Sequence, residues 1–183
     1  MAGRNPVRVL GVDPGTRVVG YGLVDVMAGG TRFDYVECGT LRVDSALDMP
    51  TRLYRIADGL AEIICEFAPQ AMALESAFHG VNASSALKLG LARGAIMVVG
   101  AQHGLRIEEY APARVKKAIV GHGRATKAEI QARVRLLCHL NRPPNADAAD
   151  ALALAICHGH AATLITSAPP VRKHSGAKGR RSR

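Results

Sequence analysis

Four carboxylates stand where a chain rarely leaves charge unpaired. Asp13 closes the apolar run VRVLGVD at 7–13, and Glu75 closes AMALE at 71–75. Asp147 and Asp150 lie three residues apart in the apolar stretch that continues as ALALAI. Counted by twos, Val7, Val9, Gly11 and Asp13 share one face of a strand, and i, i+3 spacing puts Asp147 and Asp150 on one face of a helix. A carboxylate against apolar surroundings is costly unless it is solvated, paired or metal-bound. No Lys or Arg occurs between 143 and 171, and the next cation after Glu75 is Lys88. Each acid also has a plainer reading. Asp13 could simply open a Pro-Gly turn, Glu75 could be an exposed strand end, and Asp147 suits the positive end of a helix dipole. Taken together, four acids on two strand ends and one helix face form a hard-oxygen donor set. Such a set favours Mg²⁺ or Mn²⁺ over zinc. Two such ions about 4 Å apart can clamp the attacking and leaving oxygens of a phosphodiester.

The elements that must hold these acids are legible from periodicity and turn signals. Three strands, at 7–13, 18–27 and 32–43, are joined by Pro14-Gly15-Thr16 and Gly29-Gly30, connections short enough for antiparallel neighbours. Leu53, Ile56, Leu60, Ile63 and Phe67 mark a helix over 50–67, which Pro69 terminates. A strand at 71–75, a long apolar helix at 83–103, a strand at 106–110 and a helix near 112–120 follow. Thr126 and Glu129 form a capping box that opens a helix running to about 140. After Pro143-Pro144, Asn145 is a good N-cap for a last helix over 146–163. Three strands followed by βα crossovers predict an α/β fold: a mixed five-stranded sheet flanked by helices.

Charge divides the chain unevenly. The formal net charge is +9, from 24 basic and 15 acidic groups. Residues 114–142 hold eight basic groups and one acid, and 168–183 hold six basic groups and no acid. Both points suit a polyanion. The second segment, APPVRKHSGAKGRRSR, has almost nothing to bury and is expected to be a disordered basic tail. This gives a domain at 1–165 and a tail at 166–183. The longest clean apolar run, Ala95–Ala101, is too short to span a bilayer, and the N-terminus lacks the pattern of a secretory signal. Four cysteines without a CxxC suit a reduced cytoplasmic protein with buried thiols; Cys138-His139 and Cys157-His158 make poor zinc chelates.

The ordered motifs resemble the RuvC family of Holliday-junction resolvases. Gly11-Val12-Asp13-Pro14-Gly15-Thr16 with Gly20-Tyr21-Gly22 looks like its first motif. Glu75-Ser76-Ala77-Phe78 looks like the second, and Asp147-Ala148-Ala149-Asp150 opens the last. The resemblance covers residues 7–163. It implies a ribonuclease-H-like fold, a homodimer, and Mg²⁺-dependent paired nicking of four-way DNA junctions, leaving 5′-phosphate and 3′-hydroxyl ends. It also implies work beside the RuvA–RuvB branch-migration machinery. Asp13, Glu75, Asp147 and Asp150 match the catalytic acids; some members carry His where this chain has Asp150. Phe78 matches an aromatic that reaches bases near the junction, although a core Phe is the plainer reading. Lys116 and Lys127 match basic positions beside the active site. Lys127 also stands out locally, because a cation at a helix start opposes the dipole unless a phosphate binds there. Asn82, Arg114, Lys117 and Arg124, with Arg133 and Arg135, are either DNA contacts or solvated polar groups. Gly121 and Gly123 would let backbone amides approach a phosphate. The helix at 83–103 has apolar surface to spare for a dimer partner, or for simple core burial.

Three other readings compete. Another ribonuclease-H-like nuclease would share the acids and differ in substrate. A non-catalytic junction-binding module would keep the acids as remnants. Actin-like phosphotransferases share the Asp-x-Gly-Thr flavour of residues 13–16, but their duplicated fold needs a longer chain.

Overall fold

The computed structural model describes residues 5–76 and 82–165. Phe78 and the expected tail at 166–183 lie outside the described residues. Strands β1 (Val7–Asp13), β2 (Val18–Val26), β3 (Phe33–Arg42), β4 (Ala71–Glu75) and β5 (Arg106–Tyr110) form one sheet in the order β3-β2-β1-β4-β5. The pairs β1–β2 and β2–β3 are antiparallel, whereas β4 lies parallel to both β1 and β5. The mixed five-stranded sheet is therefore the one the sequence predicts.

Strand alternation sorts side chains to two helical layers. Leu10, Val12, Leu23, Met72 and Leu74 face α1 (Met49–Phe67) and α2 (Ala83–Gln102). Val9, Val24, Ala71, Ala73 and Tyr110 face α3 (Pro112–Val120), α4 (Lys127–Leu137) and α5 (Ala146–Ile165). Helix α5 is apolar around nearly its whole circumference because sheet, α3 and α4 enclose it. Asn145 caps its start, accepting from the Ala148 amide at 2.8 Å.

Glycines let α5 sit directly on the sheet. Gly11 pairs with Gly22, and Asp13 with Gly20. A methyl at Gly11 would run into the Ala151 carbonyl, one at Gly20 into the Asp147 carbonyl, and one at Gly22 would lie 2.7 Å from Leu152 Cγ. The backbones of β1 and β2 thus form a floor that side chains would lift the helix from.

Two expectations need correction. Helix α4 ends at Leu137, not near 140. His139 takes a left-handed conformation (φ 52°), its amide donating to Leu136 O while the Leu140 amide reaches back to Arg135 O at 2.9 Å. This is a Schellman ending, with His where glycine is usual, so the usual stop signal is missing from the sequence. The thiols are not all buried either: Cys138 and Cys157 are, but Cys65 is exposed on the last turns of α1.

By length and composition α2 could cross a bilayer. Here it packs on α1 and β5, and its buried Arg93 pairs with Glu109 at 3.0 Å. Its buried side is Ala92, Ile96 and Val99; Leu87, Leu91 and Val98 face outward.

Candidate active site

Parallel pairing of β1 and β4 fixes the first half of the site. Val12 is opposite Leu74, so Asp13 and Glu75 leave the same edge of the sheet side by side. The glycine floor fixes the second half. It brings the first turn of α5 over Gly20, the register partner of Asp13, and hence Asp147 and Asp150 over the strand ends. Asp13, Glu75 and Asp150 line a cavity of about 240 Å³ together with Lys116 and Lys127; Val115, Ile130 and Leu154 form its apolar wall. Asp147 lies outside that lining but acts on Asp13.

The electrostatics are those of acids crowded in a half-buried site. Burial, and then the charges of Glu75, Asp150 and Asp147, push the Asp13 carboxyl up to about 7. Burial and Asp150 raise Glu75, against the pull of Arg93, Lys127 and Lys116. Burial raises Asp150 although Lys127 opposes it. The cation that the local sequence lacks is supplied from α4: Lys127 Nζ lies 3.7 Å from Asp150 Oδ2. This is a positive charge from outside the helix, which the cation-free stretch around Asp150 calls for, and it comes from another element. The pair is loose, with the Lys127 side chain 77% exposed, and Lys127, Lys116 and the Glu109-paired Arg93 leave the four acids with excess negative charge.

A cation therefore fits the donor chemistry. All four candidate donors are carboxylates, and each added positive charge would relieve the repulsion that raises Asp13. Among the described residues no three potential ligands already converge on one point.

The remaining candidates separate. Lys116 and Lys127 flank the acids, as expected. Lys117, on α3, and Arg124, in the 121–126 loop, are exposed. Gly121 ends α3 with φ 99°, its amide on the Lys117 carbonyl. Arg114 lies over the Tyr110 ring, 5.1 Å from its centroid. Asn82 caps α2: its side-chain oxygen accepts from the Ser84 and Ser85 amides. That gives it a structural duty its sequence reading did not include. Sequence reasoning also missed Tyr110. The Ser76 amide donates to its carbonyl at 2.9 Å, and its hydroxyl meets His158 Nδ1 at 2.9 Å, fully buried. Nothing along the chain links positions 110 and 158.

Comparison with known proteins agrees with this architecture. Residues 9–158 match the family model of crossover junction endodeoxyribonuclease RuvC. The chain is 50% identical over 171 residues to crossover junction endodeoxyribonuclease RuvC of Halorhodospira halophila, covering 93% of this chain and 98% of that one. It is 46% identical over 158 residues to that of Geobacter metallireducens, covering 86% and 95%. The structure of Thermus thermophilus RuvC in complex with Holliday junction substrate superposes with a TM-score of 0.82 at 32% identity, covering 87% of this chain and 97% of that one. The yeast mitochondrial Holliday junction resolvase shares the fold at a TM-score of 0.63 and 12% identity, over 88% and 82%. With the family model spanning most of the chain and relatives matched along nearly their whole length, the chain belongs to the RuvC family of crossover junction endodeoxyribonucleases.

Proposed function

We propose that this chain resolves four-way DNA junctions by paired, symmetric, Mg²⁺-dependent nicks that leave 5′-phosphate and 3′-hydroxyl ends, in recombination and repair in the cytoplasm. The observation that carries this reading is the half-buried group of acids at the sheet edge, flanked by Lys116 and Lys127, in a chain of this nuclease family. Nucleases of the family are metal-dependent. Two Mg²⁺ ions, with Mn²⁺ as substitute, would neutralise the acids, activate water for attack and stabilise the leaving 3′ oxygen.

The residues divide that work. Asp13, Glu75, Asp147 and Asp150 hold the ions. Lys116 and Lys127 hold the scissile phosphate. The Lys127 ammonium can leave Asp150 for a phosphate at little cost, because a loose exposed pair contributes no more than about 1 kcal/mol. The apolar wall of Val115, Ile130 and Leu154 thins the water around the reacting phosphate and strengthens each charge interaction there. Lys117 and Arg124 steer the arms through the phosphate backbone, and Phe78 stacks on a distorted base beside the crossover. The segment 166–183 adds sequence-independent attraction to the nuclease domain at 1–165.

Two nicks related by symmetry call for two active sites. The outward face of α2 supports a two-fold dimer: Leu87, Leu91 and Val98 follow helical spacing, and Gly90 and Gly94 between them leave open space for a close partner backbone. We infer that RuvA–RuvB delivers the junction. Cleavage of a synthetic mobile four-way junction, with and without Mg²⁺, tests the reading beside flap and RNA–DNA hybrid substrates. Mg²⁺-dependent preference for the junction is expected. Preference for the hybrid would show instead a ribonuclease-H-like enzyme of another substrate class.

A further inference from the structure

We propose that Tyr110 and His158 form a positioning pair that sets the separation between the strand carrying Glu75 and the helix carrying Asp150. This rests on the nuclease reading of the acid cluster. Tyr110 is the last residue of β5 and the register partner of Glu75, so their side chains leave the sheet on the same face. Its carbonyl accepts the amide of Ser76, which fixes the chain as it leaves Glu75. Its hydroxyl crosses to α5 and meets His158 Nδ1 at 2.9 Å. His158 lies eight residues beyond Asp150, on the stripe 150, 154, 158 that follows one side of the helix. One residue is thereby tied to both elements that present the acids, by its backbone to the strand end and by its side chain to the helix.

The surroundings make this contact a sharp constraint. Tyr110 is 3% exposed and His158 7% exposed, the two rings meet edge to face, and Tyr110 belongs to the apolar core with Arg114 over its ring. Burial pushes the Tyr110 hydroxyl up to about 12 and holds His158 below its ordinary value, so both are neutral and the bond is kept at working pH. A buried hydroxyl and imidazole that lost each other would both be unsatisfied. Two apolar side chains of similar size would pack there without demanding one separation. The polar pair demands it, and the demand is passed to Glu75 and Asp150. Reacting groups held loosely by even 1 Å lose rate steeply.

Tyr110→Phe tests the pair, since it keeps the ring, the core volume and the stacking surface under Arg114 and removes only the hydroxyl. Junction cleavage is expected to fall about tenfold in kcat, with KM for the junction within about twofold of wild type. Mn²⁺ affinity, measured by calorimetry without DNA, is expected to fall several-fold. His158→Leu should behave alike, and the double variant Tyr110→Phe/His158→Leu no worse than either, because all act through one contact. His158→Asn, which keeps a polar group near the Nδ1 position, should recover most of the loss. Wild-type kcat and Mn²⁺ affinity in folded Tyr110→Phe would overturn the proposal, even if its Tm fell. A wild-type protein that bound Mn²⁺ but left junctions intact would overturn the nuclease reading instead, and the Mn²⁺ titration would still decide the pair.

Discussion

Gly20→Ala should disable the site without touching any of its acids. The added methyl would penetrate the Asp147 carbonyl group, lying 2.6 Å from its carbon and 3.2 Å from the Asp147 Cβ. Ordinary contact begins near 3.4 Å and the obstacle is backbone, so the first turn of α5 must retreat by about 1 Å. Overpacking of this kind costs about 1–3 kcal/mol of stability, which a domain of this size can survive. The rate should suffer more, because the same shift carries Asp147 and Asp150 away from Asp13, the strand partner of Gly20. A displacement of that size costs on the order of 10²-fold in rate. The assay is single-turnover cleavage of a synthetic four-way junction at saturating enzyme and Mg²⁺, with thermal melting and gel-shift binding in EDTA alongside. Binding should be kept, since the phosphate-facing lysines are on α3 and α4. Gly59→Ala on α1 is the control: its methyl meets the flexible end of Leu41 at 3.1 Å, far from the acids, and its rate should match wild type. A folded Gly20→Ala protein cutting within twofold of wild type would refute the idea that the glycine floor places α5.

Asp13→Asn should abolish cleavage and leave junction binding intact in a gel shift; surviving cleavage would remove Asp13 from the metal site. The raised Asp13 pKa, about 7 against an ordinary 3.8, means that the folded, metal-free protein takes up a proton the unfolded chain has already lost. Its contribution is complete below about pH 4 and is lost as pH rises through about 7, on the order of 4 kcal/mol in all. His158 and His160 are held below their ordinary values and slope the other way near pH 6. The informative quantity is therefore the difference between wild type and Asp13→Asn in EDTA melts from pH 4.5 to 8, which should widen toward alkaline pH and close when Mg²⁺ is added. A constant difference would contradict the crowding of acids around Asp13. Leu91→Asp, on the outward face of α2, should convert a dimer to a monomer in light scattering and abolish coordinated nicking. An unchanged mass would move the interface elsewhere.

Much of this protein is legible in its sequence because the signals are local. The short apolar run VRVLGVD, the helical spacing of Leu53, Ile56, Leu60 and Ile63, and the Thr126–Glu129 box each depend on residues close to one another along the chain. The elements they predict are present. The candidate acids were legible for a related reason: a carboxylate ending an apolar strand, or lying in an apolar helix with no cation nearby, breaks the local pattern. The end of α4 escaped because His139 accepts a left-handed backbone that only the completed Schellman bonds make favourable. What depends on distance through space was decided by tertiary structure. Helix α5 comes down onto Gly11, Gly20 and Gly22, Lys127 arrives beside Asp150, and Tyr110 finds His158 across 48 positions of chain. The same holds for the charge state of Asp13, since Coulomb repulsion and desolvation depend on separation and burial. The sequence alone determined which groups are present and which elements carry them. Only the parallel pairing of β1 with β4 and the close seating of α5 decided that Asp13, Glu75 and Asp150, from three elements, line one cavity with Asp147 beside it.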